Sequence, residues 1–155
     1  MTQDSILTDE MKAKIGMMTE PVVYEVERGA IRRFARAVGE KNPLYTDEEF
    51  AKTTRYGGVV APPGFFGWPA GEEPEAGTLI NMLNSPLKTI LNMGNDAEFY
   101  RPIRPGDTLV CYQKVADIQD KSKGDKKRLF VVIELTFKNQ HDQVAGRIRY
   151  NMMFL

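Results

Sequence analysis

The sequence predicts a single α+β domain, and the prediction rests on the order and patterning of its 155 residues. A short stretch rich in β-branched residues comes first, a segment with helical spacing follows it, and strand-like segments separated by polar turns fill the last third. A strand and helices followed by a run of strands are typical of an α+β fold with an antiparallel sheet. No repeat or long linker divides the chain, so residues 1–155 are interpreted as one domain.

The first third predicts one strand and two helices. Residues 21–27, PVVYEVE, have the composition of a strand. Apolar residues then recur with the spacing of one helical face over residues 29–38, namely Ile31, Phe34, Ala35 and Val38. Thr46 and Glu49 have the spacing of a capping box, which predicts a second helix over residues 47–54.

The middle of the chain is rich in proline and glycine. These residues rule out a long regular helix over residues 57–77, yet Phe65, Phe66 and Trp68 are too apolar for an ordinary surface loop. We interpret this segment as an ordered loop that lines a binding site. Residues 79–91 are also apolar but contain a proline, and their pattern favours neither a helix nor a strand.

The last third predicts an antiparallel meander. Polar turns separate the last three of its strand-like segments, which favours hairpin connections. The four predicted strands cover residues 97–103, 107–118, 128–137 and 144–154.

Composition excludes several classes of function. The chain has 21 Lys and Arg against 21 Asp and Glu, so it has no net charge that would attract nucleic acid. No apolar run approaches the roughly 20 residues that a membrane-spanning helix needs. The N-terminus lacks the apolar region of a signal peptide. We therefore expect a cytoplasmic protein that binds neither nucleic acid nor membranes.

Two residue types limit the possible chemistry. The only histidine, His141, lies in a predicted turn, and any Ser-His-Asp triad or multi-histidine metal site would have to include it. We interpret His141 as a solvated residue and expect no metal site. The only cysteine, Cys111, lies in a predicted strand with no basic neighbour in sequence, which indicates a buried structural thiol.

A basic segment is a secondary candidate for ligand binding. Residues 121–128, KSKGDKKR, include five basic residues. A solvated hairpin loop is the simple interpretation, and contact with the phosphates of a nucleotide-bearing ligand is the functional alternative. The basic residues lack interleaved aromatics, which argues against nucleic-acid binding.

Three short stretches together carry a family resemblance. Residues 39–45 read GEKNPLY with Ala51 five residues further on, residues 62–64 read PPG, and residues 101–107 read RPIRPGD. In this order they resemble the MaoC-like, (R)-specific enoyl-CoA hydratases and dehydratases. The resemblance extends from Tyr24 to the C-terminus and is closest to the branch that includes fatty-acid-synthase-type dehydratase N-terminal domains.

The chain departs from the family pattern at the catalytic pair. The family has Asp and His where this chain has Glu40 and Tyr45, whereas Asn42 is kept. In the family the Asp and His hold a water between them, and a backbone amide near the Gly that matches Gly64 polarises the thioester carbonyl. The resemblance therefore implies that Glu40, Asn42 and Tyr45 occupy the catalytic positions. Tyrosine, with an ordinary pKa of about 10, donates a hydrogen bond but is a poor base at neutral pH.

The resemblance implies a hotdog fold, in which a curved antiparallel sheet wraps around a helix that the Pro/Gly-rich loop shortens here. It also implies a second hotdog subunit, as a homodimer or a heterodimer, an acyl-CoA thioester as substrate, and no resident cofactor. In two-hotdog members the half without catalytic residues often lacks the central helix, which leaves room for a bulky acyl chain. The residues expected to bind the substrate are Pro63, Gly64, Phe65, Phe66 and Trp68.

We therefore hypothesise that this chain is the acyl-binding half of a hydratase or dehydratase, completed by a partner that supplies the Asp and His. Two alternatives stay open. The chain is a homodimeric hydratase in which Glu40 is the sole base and Tyr45 a hydrogen-bond donor, or it is a non-catalytic acyl-CoA-binding module.

Overall fold

The computed structural model describes residues 5–66 and 76–155, which contain a five-stranded antiparallel sheet. The strands lie in the order β1-β3-β4-β5-β2, so β1 and β2 form its two edges. The strands are β1 (Val22–Glu25), β2 (Ile90–Phe99), β3 (Thr108–Asp120), β4 (Leu129–Lys138) and β5 (Val144–Phe154). The helices are α1 (Asp9–Ala13), α2 (Arg28–Ala37), α3 (Glu48–Lys52) and α4 (Ala76–Met82), with a 3₁₀ turn over Pro43–Tyr45. One sheet with short helices confirms the α+β prediction.

Alternating burial gives the sheet one core-facing side. In β3, Leu109, Cys111 and Val115 have no exposed surface and Gln113 is 2% exposed, whereas Val110, Tyr112 and Lys114 are partly exposed. The matching residues of β4 are Leu129, Val131, Ile133, Leu135 and Phe137, all at most 2% exposed. Each such side chain stabilises the fold by about 1.5–3 kcal/mol relative to an exposed position. This period of two confirms the three predicted strands of the C-terminal meander.

The opposite side of the sheet carries a row of alternating charges. Asp96, Arg149, Glu134 and Lys114 are successive cross-strand partners on β2, β5, β4 and β3. The Glu134 carboxylate accepts a hydrogen bond from Arg149 Nε at 2.9 Å and lies 3.1 Å from Lys114 Nζ. Burial acts to raise the pKa of Glu134, but these two hydrogen bonds and the charges of Lys114 and Arg147 outweigh it, so that the pKa lies below its ordinary value.

The two helices predicted near the N-terminus form, with one corrected boundary. On α2, Ile31 and Ala35 are fully buried, as the apolar spacing predicts. The predicted capping box of α3 is wrong, because Asp47 is the N-cap and its Oδ1 accepts from the Phe50 N–H at 3.1 Å. Glu49 instead pairs with a lysine one turn later, at 2.8 Å. No helix within residues 5–66 and 76–155 is long and apolar enough to cross a membrane.

The first strand of the C-terminal meander was misplaced by the sequence pattern. A strand over residues 97–103 was predicted, but β2 covers Ile90–Phe99. The ambiguous segment 79–91 divides between the end of α4 and the start of β2. Pairing with β5, from Ile90 opposite Phe154 to Phe99 opposite Gly146, sets the bounds of β2. After Phe99 the backbone bends so that the N–H groups of the next two residues both donate to the carbonyl of Ala145.

Candidate functional site

A groove of about 410 Å³ brings residues of all three sequence motifs together. Its walls come from the 3₁₀ turn, the segment after α3, the PPG stretch and the chain that follows β2. The Ala61 N–H donates to the Ile103 carbonyl at 2.8 Å, which ties the last two walls together. The polar side chains that line the groove are those of Tyr45, Arg55, Tyr56, Tyr100 and Arg101.

The GEKNPLY motif folds as a turn that presents Tyr45 to the groove. Glu40 Oε1 accepts hydrogen bonds from the N–H groups of Lys41 at 2.8 Å and Asn42 at 2.9 Å. Asn42 Oδ1 in turn accepts from the Leu44 N–H at 3.0 Å and caps the 3₁₀ turn. Both side chains are exposed, and the groove lining within the described residues does not include them. In this chain Glu40 and Asn42 bond to the backbone of their own turn.

Tyr45 is held as a hydrogen-bond donor. Burial raises the pKa of its phenol above the ordinary value, and the negative charge of Glu40 and the neighbouring Tyr56 raise it further. The phenol is therefore protonated at neutral pH, with less than about one part in a thousand ionised. It can donate to a carbonyl or a water in the groove, but it does not accept a proton.

The PPG stretch forms a tight turn that contributes Pro63 and Phe65 to the groove. Gly64 has a φ of +96°, which favours glycine, and a Cβ there would lie a tight 3.3 Å from the Phe34 ring. The Phe65 N–H already donates to the Pro62 carbonyl at 3.1 Å. The Gly64 N–H makes no hydrogen bond within the described part of the chain. The Gly64 N–H is therefore the backbone amide of this turn that can still donate a hydrogen bond to an acceptor on a ligand.

Phe66 lies beneath the groove. It is 1% exposed, and its ring stacks on Phe137 at a centroid distance of 4.5 Å and on Phe99 at 5.1 Å. Phe99 lines the groove, so Phe66 supports that wall from within the core. A substrate-binding role for Phe66 stays a prediction, and Trp68 lies outside the described residues.

The RPIRPGD motif fixes the chain after β2. Asp107 Oδ2 accepts from the Arg104 N–H at 2.8 Å, and its Oδ1 accepts from Gln140 Nε2 at 3.0 Å. The Gly106 N–H donates to the Val26 carbonyl at 2.8 Å, which ties the motif to the end of β1. The motif is therefore a structural corner that positions Arg101 at the groove.

The remaining candidates lie away from the groove. His141 is exposed in the β4–β5 turn. Burial raises the pKa of Cys111 to about 12, which makes it an unreactive thiol. The basic segment 121–128 connects β3 and β4 at the end of the sheet where Ile90 lies, whereas the groove lies beyond Phe99. A ten-residue strand spans roughly 30 Å, so this segment does not reach the groove of its own chain.

Sequence reasoning missed the pair Arg55 and Tyr56. Arg55 Nη2 donates to the Tyr56 hydroxyl at 2.8 Å, and the guanidinium carbon lies 4.9 Å from the centre of the Tyr56 ring. The signal available in the sequence was a cation beside an aromatic residue just before Gly57-Gly58. The pair places a positive charge and a hydroxyl at the groove wall.

Residues 13–146 match the family model described as "FAS1-like, dehydratase domain region". The chain belongs to this dehydratase family. A UPF0336 protein of Streptomyces avermitilis is 36% identical over 109 residues, which cover 69% of this chain and 70% of that protein. A "Probable enoyl-CoA hydratase alpha subunit" of Thermomonospora curvata is 28% identical over 138 residues, which cover 79% of this chain and 43% of that protein.

Solved structures confirm the hotdog fold. A MaoC-like dehydratase from Rhodospirillum rubrum superposes with a TM-score of 0.63 at 25% identity, covering 91% of this chain and 92% of that one. The ChsH1-ChsH2 complex from Mycobacterium tuberculosis gives a TM-score of 0.74 at 18% identity, covering 94% of this chain and 86% of the matched one. The resemblance drawn from the three short motifs is therefore confirmed at the level of family and fold.

Proposed function

We propose that this chain is the acyl-binding subunit of a hotdog acyl-CoA hydratase or dehydratase, and that a partner chain supplies the catalytic Asp and His. The state of Tyr45 carries the proposal. It stands at the position of the family histidine and lines the groove, but its pKa is raised rather than lowered. In this proposal the groove holds the thioester, and its own residue at the histidine position is not a base.

The chemistry of hydration explains why this matters. Adding water to an enoyl thioester needs a group that takes a proton from the water and a donor that stabilises the thioester oxygen. Glu40 Oε1 already accepts two backbone N–H bonds, which hold it within its own turn. Tyr45 and the Gly64 N–H are both donors. This set stabilises a carbonyl oxygen, but it does not activate water.

The apolar walls of the groove suit an acyl chain. Phe65 is 3% exposed and meets Phe34 edge-on at 5.6 Å, so this wall is rigid. Phe99 is 46% exposed and presents its ring to the groove from the opposite side. A preformed apolar cleft with a few polar donors is the usual form of a small-molecule site.

The edge strand β2 supports a second hotdog subunit as partner. All ten of its residues are exposed, and within the described residues β2 pairs with β5 alone. Leu91 and Met93 are 45% and 54% exposed. A long exposed edge with apolar side chains is a template for pairing with another strand. A matching edge strand on a second hotdog chain would extend the sheet and cover these side chains.

The test is hydration of a panel of trans-2-enoyl-CoAs by this chain alone, followed by loss of the enoyl thioester absorbance, with calorimetric binding in parallel. We expect binding without turnover, and turnover once an Asp/His-bearing hotdog chain is added. Glu40→Gln should change neither the binding of enoyl-CoA nor the turnover after the partner is added. Glu49→Gln is the matched control, because it removes an exposed carboxylate from α3.

Three outcomes would contradict the proposal. Turnover by the chain alone that disappears in Glu40→Gln but not in Glu49→Gln would establish the homodimeric hydratase instead. Binding that no hotdog partner converts into turnover would favour a non-catalytic binding module. Absence of any binding would remove the acyl-binding role.

A further inference from the structure

A second cavity of about 460 Å³ adjoins the groove. Tyr100 and Arg101 line both, so the two spaces share a wall. The other residues of the second cavity, Gln143, Val144 and Arg147, come from the start of β5 and the turn before it. A ligand that fills the groove can therefore extend past Arg101 into this cavity.

Two arginine residues line this cavity. Arg101 is exposed, and its side chain makes no ion pair or hydrogen bond within the described residues. Arg147 Nε is buried without a hydrogen-bond partner and forms a long ion pair with Glu134 Oε1 at 3.8 Å.

The neighbouring carboxylates are already engaged. Glu134 has closer partners in Arg149 and Lys114, at 2.9 and 3.1 Å. Glu98, the cross-strand partner of Arg147, accepts a hydrogen bond from the Tyr100 hydroxyl at 2.7 Å. The Tyr100 hydroxyl is neutral and does not offset the charge of Glu98, so this carboxylate partly balances the two arginines and the cavity keeps a net positive charge.

The donors fit an anion with several acceptor oxygens, and a phosphate is such a group. Guanidinium groups bind phosphate oxygens through paired N–H donors, and two of them can hold different oxygens of one phosphate. Gln143 adds a third donor group, an amide. Its Oε1 accepts from Asn139 Nδ2 at 3.3 Å, which leaves the Nε2 group to donate.

We propose that this cavity, the Arg101–Arg147 site, binds the phosphate of the carrier arm of an acyl thioester. This rests on the proposed acyl-binding function, because the thioester in the groove brings the phosphate to the site. The phosphate is the one that joins the pantetheine arm either to a nucleotide, as in CoA, or to a carrier protein. The basic segment 121–128 is excluded from this role within one chain, because it lies at the other end of the sheet.

The experiment uses calorimetric titration of the full chain with three probes. Adenosine 3′,5′-bisphosphate carries the phosphates of CoA without the arm, and 4′-phosphopantetheine carries the arm phosphate without the nucleotide. An acyl-pantetheine without phosphate reports on the groove alone. The variants are Arg101→Gln, Arg147→Gln and the double variant, with Lys123→Gln/Lys126→Gln as a control that removes the same charge from the basic segment.

We expect the double variant to weaken binding of 4′-phosphopantetheine tenfold or more, with acyl-pantetheine binding within twofold of wild type. An equal loss with adenosine 3′,5′-bisphosphate points to CoA as the source, and a loss with 4′-phosphopantetheine alone points to a carrier-protein arm. A loss confined to the bisphosphate would assign the arginines to the nucleotide and overturn the arm site. Arg101→Gln alone should lose at least threefold, and because this side chain is exposed, the result does not depend on folding of the Arg147 variant.

Two further results would overturn the site. One is a loss in the lysine control as large as in the arginine variants. The other is absence of saturable binding of both phosphate probes to the wild-type chain. If acyl-pantetheine fails to bind while a phosphate probe binds through the two arginines, the phosphate site stands and the acyl-binding function falls.

Discussion

Gly146 of β5 has no room for a side chain. A Cβ at this position would lie 2.4 Å from Cε1 of Phe66 and 2.9 Å from the carbonyl oxygen of Glu98. The Phe66 ring is held by its stacks on Phe137 and Phe99, so it cannot turn away without breaking them. The Glu98 oxygen belongs to the backbone of β2, and moving it would separate β2 from β5. Gly146→Ala should therefore strain the contact between the core and the edge strand.

The size of this effect follows from two opposing contributions. Overpacking a well-packed core costs about 1–3 kcal/mol, and the upper part of that range applies because one of the two clashing groups is backbone. Alanine recovers about 0.5–1 kcal/mol relative to glycine inside a strand, because it has less conformational freedom to lose on folding. The free energy of unfolding of Gly146→Ala should therefore fall by about 2 kcal/mol.

Equilibrium unfolding in urea measures this difference. Gly58→Ala is the matched control, since a Cβ there would meet Glu48 Oε1 at an ordinary 3.5 Å. We expect its stability to stay within about 0.5 kcal/mol of wild type. Adding Phe66→Leu to Gly146→Ala should recover part of the loss, because the smaller side chain vacates the position of the ring. Wild-type stability in Gly146→Ala, or an equal loss in Gly58→Ala, would refute the steric reasoning.

The remaining predictions concern charge, reactivity and the catalytic positions. Glu134→Gln should lower the free energy of unfolding by about 2 kcal/mol at pH 7. Because the folded-state pKa of Glu134 is lowered, its contribution is present at neutral pH and is lost as the pH falls through that pKa. The stabilities of the wild type and the variant, measured by urea unfolding at a series of falling pH values, should therefore converge, and a constant gap would contradict this. Native Cys111 should resist iodoacetamide at pH 8 and react after unfolding, as measured by mass spectrometry, and rapid labelling of the native protein would show that the thiol is accessible. Glu40→Asp combined with Tyr45→His restores the family pair and should produce enoyl-CoA hydration by the chain alone; continued inactivity, with enoyl-CoA still bound, would show that restoring these two residues does not restore a working geometry.

Local patterns were sufficient for much of the fold. Strand-like segments separated by polar turns predict β3, β4 and β5, and the alternating burial along β3 and β4 confirms the first two. The spacing of apolar residues three and four apart predicts α2, because it places them on one face of a helix. The three short motifs predict the family, and each of them contributes residues to the groove.

Long-range pairing decided what those patterns left open. Residues 79–91 carry no clear period, so β2 obtains its start from pairing with β5, more than fifty residues later in the chain. The capping residue of α3 depends on backbone geometry at Asp47, which the spacing of Thr46 and Glu49 does not encode.

The sequence by itself determined the family, the class of fold and the departure of Glu40 and Tyr45 from the family motif, because each is encoded in neighbouring residues. Only the tertiary structure brought Phe66 against Gly146 and Arg101 beside Arg147, since these residues meet through the pairing of β2 with β5 and not through any local period. It also separated the basic segment 121–128 from the groove, although its charge had suggested a role there. A groove assembled from distant segments leaves no periodic trace in the chain, and this is why its arginines were found in the structure and not in the sequence.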